Sequence, residues 1–133
     1  MCVRGVSALN DLLAEFPEAP LRVYVVWQPV LKTDLGPPLS SVLGLIPDPR
    51  AAQFWDPGRA LSAEIVRNVN AEPGRFGFDE PLPADFVVWD VVAVFDGTAV
   101  WDDRSFPAPA YHGGPVAEVI GDTRLALARV LGR

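Results

Sequence analysis

FVVWDVVAVF, residues 86–95, is the most strand-like run of the chain. It is β-branched and aromatic, as buried strands are. Asp96-Gly97 follows as a hairpin turn signal, and Thr98 to Trp101 supplies a returning partner strand. An antiparallel hairpin is therefore expected late in the chain. LRVYVVW, residues 21–27, is a second near-continuous apolar run, stopped by Pro29. Such a run suits a sheet covered on both faces. Arg50 to Trp55 reads as a short strand after the Asp48-Pro49 turn.

Helical periodicity fills the spaces between these strands. Val6, Leu9, Leu12, Leu13 and Phe16 recur at three and four residues, giving a helix over 6–16 that Pro17 ends. Residues 28–38 are a loop, and Leu39 to Ile46 forms a short helix opened by Pro37-Pro38. Asp56-Pro57-Gly58 opens a further helix, with Asp56 as N-cap, Pro57 at the first helical position and Leu61, Ile65 and Val69 on the apolar face. Residues 71–84 read as a loop kept partly ordered by Phe76 and Phe78. Pro115 opens the last helix, whose apolar face is Val116, Val119, Ile120, Thr123, Leu127 and Val130. The order is α-β-α-β-α-β-β-α, which predicts parallel pairing with crossover helices and an antiparallel edge.

That order resembles the thioredoxin-like fold without its first short strand. LRVYVVW stands where the strand leads into the active-site loop. QFWDP is similar to the second core strand and its Asp, and VVAVFDGTAVW to the final hairpin. The resemblance implies one domain over residues 1–133, with a central mixed four-stranded sheet flanked by helices. It also shows what is missing. Trp27-Gln28-Pro29-Val30-Leu31-Lys32-Thr33-Asp34 contains no cysteine pair, and Val88-Trp89-Asp90 stands where the family has its cis-proline. Disulfide exchange needs an attacking thiolate and a second thiol to resolve the mixed disulfide. The sole cysteine is Cys2, at the chain end, so thiol-disulfide oxidoreductase activity is not expected.

Composition bounds the rest. With 133 residues and half of them apolar, the chain is long enough for one domain with a core independent of disulfides or metal. Net charge is −6, with charges scattered, no basic stripe on any helix and no acidic tail, so nucleic acid is not an expected partner. No signal peptide and no apolar run long enough to span a bilayer is visible. A cytoplasmic protein without membrane partner or cofactor is expected.

Several residues invite a functional reading. Ligands of α/β sheets tend to bind beyond the carboxyl ends of strands, which singles out Trp27, Thr33 and Asp34 after the first strand and Asp56 after the second. Asp34 as a turn cap and Asp56 as a helix cap are the simpler readings. Trp89-Asp90 sets a carboxylate in an apolar run, where a buried charge needs a partner. Such a carboxyl could serve proton transfer, or be held in a salt bridge or a bulge. His112, the only histidine, lies in a Gly-rich turn before a helix, as a general base or a solvated side chain. One histidine and one cysteine do not make an ordinary zinc site.

Two functions follow. The first is a non-catalytic domain that binds a protein or small-molecule partner through Trp27, Thr33, Asp34, Asp56, Trp89, Asp90 and His112; a homodimer through the same surface is one form of it. The second is a small non-thiol enzyme using Asp90, Asp34 and His112 as acid/base groups, which requires them to converge in one pocket.

Overall fold

The computed structural model describes residues 3–102 and 106–133; Cys2 lies outside them. Helix α1 spans Val3–Glu15, β1 Val23–Trp27, α2 Ser40–Leu43, β2 Ala51–Trp55 and α3 Ala60–Ala71. A 3₁₀ turn, Pro73–Phe76, follows. Strands β3 (Val92–Val94) and β4 (Tyr111–Gly113) precede α4, Val116–Val130. The order of helices and strands is the expected one.

The sheet is not. Among the described residues the strands form two separate pairs, β1 with β2 in parallel and β3 with β4 antiparallel. This replaces the four-stranded central sheet, for two local reasons. Asp90 has φ of 51°, a left-handed conformation that ends extended structure, so only 92–94 of the 86–95 run is strand. The backbone of Val88 is also taken by side chains: its N–H donates to Ser62 Oγ at 3.0 Å and its carbonyl accepts from the Gln28 amide. No ladder to β1 forms there.

The expected hairpin partner is wrong as well. The Asp96 carboxylate accepts from the N–H and hydroxyl of Thr98, and Ala99 N–H closes onto Asp96 O at 3.1 Å. The tight two-residue hairpin turn that Asp-Gly signals, type I′, needs positive φ at both central residues, which neither Asp96 nor Gly97 has. Thr98 to Trp101 therefore leaves β3, and Tyr111–Gly113 arrives instead, with Val94 opposite Tyr111 and Val92 opposite Gly113.

Helix α4 packs on β3 and β4, and α1 packs on α4, around a core of Leu12, Phe16, Ala19, Val94, Ala126 and Leu127. The exposed Glu15 and Arg124 carboxylate and guanidinium join the two helices by bonds of 2.6 and 2.7 Å. In α3 the buried positions are Ser62, Val66, Asn68 and Val69. The buried stripe thus runs through 62, 66 and 69, one residue round from the expected Leu61 and Ile65, which are half-buried.

Arg50, at the entry of β2, ties this half to the first. Its guanidinium donates to the carbonyls of Phe16 at 2.6 Å and Leu13 at 3.1 Å, around the end of α1. It also holds Asp48 at 2.6 Å. That contact, with the Arg50 amide, lowers the Asp48 carboxyl to about 2.

Candidate functional site

The carboxyl end of β1 opens into the loop 28–39. Trp27 is half-buried and its indole N–H donates to Gln53 Oε1 at 3.0 Å, so it faces β2 rather than a ligand. Gln28 turns inward. Its carbonyl accepts from Ser62 Oγ at 2.9 Å while its amide reaches Val88 O. With Val88 N–H on Ser62 Oγ, the three residues close a ring of hydrogen bonds, and Ser62 is fully buried within it. The ring fixes loop 28–39 against segment 86–91.

The candidate acid/base groups are each engaged locally. Asp34 is exposed, and its Oδ2 accepts from the N–H groups of Leu31 at 2.8 Å and Val30 at 2.9 Å. These bonds lower its pKa. Thr33 is exposed, and its carbonyl accepts from Leu35 N–H. Asp56 accepts from Ala60 and Leu61 N–H, both at 2.9 Å. It caps α3 as expected, although the helix begins at Ala60, with Arg59 in the left-handed conformation ahead of it.

Among the described residues Asp90 forms no ion pair; its Oδ1 lies 3.3 Å from Val116 N, at the start of α4. The same oxygen is 2.9 Å from where a Cβ on Gly5 would stand. The carboxylate thus sits beside the first turns of both α1 and α4, where unpaired N–H groups favour an anion. A Cβ on Gly114 would run into the Asp90 carbonyl, so a glycine is needed there too. His112 pairs with Ala93 in the β3–β4 ladder. Its ring stacks on Phe78 at 6.0 Å, and Nε2 lies 2.9 Å from Phe76 O. A carbonyl only accepts, so Nε2 carries the proton.

Asp34, Asp90 and His112 therefore have different partners and share none. Two shallow depressions, of about 260 and 280 Å³, lie elsewhere. Tyr111 and Arg129 line one, Asn10 and Pro47 the other, and none of the three acid/base candidates lines either.

Both segments joined by the ring carry exposed apolar side chains. Leu31 and Leu35 on the loop are 60% and 92% exposed, and Phe86 and Trp89, flanking Val88, are 43% and 61% exposed. Of these, sequence reading had picked out only Trp89. Charge gathers nearby as well. Residues 76–103 hold seven acidic side chains and no Lys or Arg, whereas the rest of the chain has ten acidic and eleven basic. The whole net charge therefore belongs to one stretch, a correction to the scattered distribution first read. A charge count by window signals it without any structure. No helix among the described residues is long and apolar enough to cross a membrane. Comparison with protein-family models, curated proteins and solved structures gives no match.

Proposed function

We propose that this domain acts by binding a protein partner on the surface where loop 28–39 meets segment 86–91. One observation carries the reading: the two segments joined by the Gln28–Ser62–Val88 ring carry exposed Leu31, Leu35, Phe86 and Trp89. Apolar side chains held in the open on a fixed frame are what interface anchors look like, and Trp is the residue most enriched among them. Neither depression is lined by residues of loop 28–39 or segment 86–91, which favours a protein over a small molecule. Against the acid/base alternative stands the separate bonding of Asp34, Asp90 and His112.

The test compares the full chain with a Leu35→Ser/Trp89→Ser double variant, both immobilised and exposed to extract of the source cells. Proteins enriched on the wild type should be lost from the variant while the two melt within about 3 °C of each other, as surface changes allow. The same proteins retained at the same level by both would reject this surface.

A further inference from the structure

The charge of the stretch that carries Phe86 and Trp89 says what kind of partner fits. Asp79, Glu80 and Asp85 are exposed and make no hydrogen bond or ion pair among the described residues. The nearby cations of α3 and the 3₁₀ turn are already answered: Arg67 by Glu64 and Arg75 by Glu72. The acidic segment is also held in place. Leu82 donates to Asn70 Oδ1 at 2.7 Å and accepts from its Nδ2 at 2.9 Å, near the end of α3. Val88 is bound to Ser62 near the start of the same helix. Residues 82–88 thus run back along α3, with Asp79 and Glu80 just ahead of Leu82, Asp85 next to exposed Phe86, and exposed Trp89 just after Val88.

We propose that the occupant is a cationic, apolar peptide segment of another protein, its apolar residues on Trp89 and Phe86 and its basic residues over Asp79, Glu80 and Asp85. The inference rests on the binding reading above. Unpaired carboxylates that a partner's cations approach speed association and select against acidic competitors.

The test uses the full chain and four fluorescent peptides of equal length: alternating Lys-Leu, Ser-Leu, Glu-Leu and Lys-Ser. Binding is read by anisotropy. At low salt the Lys-Leu peptide should bind at least about tenfold tighter than the other three, and lose most of that advantage at about 0.5 M salt. Asp79→Asn/Glu80→Gln/Asp85→Asn should weaken Lys-Leu binding about fivefold or more without affecting Ser-Leu. Trp89→Ala should weaken both Lys-Leu and Ser-Leu binding. If Ser-Leu binds as well as Lys-Leu and only Trp89→Ala matters, the cationic partner is wrong and the apolar binding surface stands. If Lys-Ser equals Lys-Leu, attraction is unspecific and the proposal falls. No binding of any peptide up to about 1 mM, or binding indifferent to Trp89→Ala, overturns both readings.

Discussion

Asp90 is the residue at which several local demands meet. It carries positive φ, receives Val116 N–H, and leaves no room for a Cβ at Gly5. Asp and Asn tolerate the left-handed region better than other side chains. Asp90→Asn should therefore be mild, while Asp90→Ala should lower stability by about 1–2 kcal/mol, through the lost cap and the strained backbone. Gly5→Ala makes a sharper prediction. In an ordinary helix the change stabilises by up to about 1 kcal/mol. Here the new methyl would meet Asp90 Oδ1 at 2.9 Å and Val116 Cβ at 3.3 Å, so the sign should reverse. In an Asp90→Ala background part of that penalty should vanish. Urea denaturation of the four proteins of this cycle checks it; simple additivity would show that Gly5 and Asp90 do not interact.

At the scale of elements, the end of α1 depends on a residue far along the chain. The last carbonyls of a helix lack intrahelical partners, and the Arg50 guanidinium supplies them from the entry of β2 while Asp48 keeps it oriented. Lys is a single point donor, so Arg50→Lys should still destabilise, by about 1–2 kcal/mol. The pH dependence has a definite sign. Folding lowers the Asp48 carboxyl to about 2, below its unfolded value near 4. Its contribution, about 1 kcal/mol after solvent screening, is complete above pH 4 and is lost as pH falls through 2. Asp48→Asn should flatten that part of the acid limb in denaturation at successive pH values. Elements like these were legible in the sequence where the signal is local. Pro17, Asp56 and Pro115 punctuate the helices, and apolar runs mark β1 and β2. The pairing of β3 with Tyr111–Gly113 was not legible. It is decided by turn conformation at Asp96-Gly97, and that depends on φ rather than on residue type.

At the scale of the whole molecule, the sequence conveyed the order of elements but not how their two halves join. An apolar run such as 86–95 reads as one strand whether its backbone finds a strand or side chains. Here Gln28 and Ser62 take the backbone of Val88, a choice made by two polar residues 34 positions apart. The candidate site was legible to the same degree: Trp89 stands out as a residue type, while Leu31, Leu35 and Phe86 become notable only once seen exposed. The junction makes the last prediction. Ser62 is 2% exposed, so Ser62→Ala strands Val88 N–H away from water and removes the donor to Gln28. An unsatisfied buried group costs about 1–3 kcal/mol, and the penalty should fall on the link rather than on either half. The α1–α4 core has its own contacts with β3 and β4 and does not use Ser62. Amide hydrogen exchange should therefore accelerate across β1, β2 and loop 28–39 in Ser62→Ala, with α1 and α4 amides slowed or unchanged relative to them. Uniform acceleration would show one cooperative unit. The differential pattern would show that the binding surface is held by this ring, and that partner affinity in the variant should fall although no surface residue has changed.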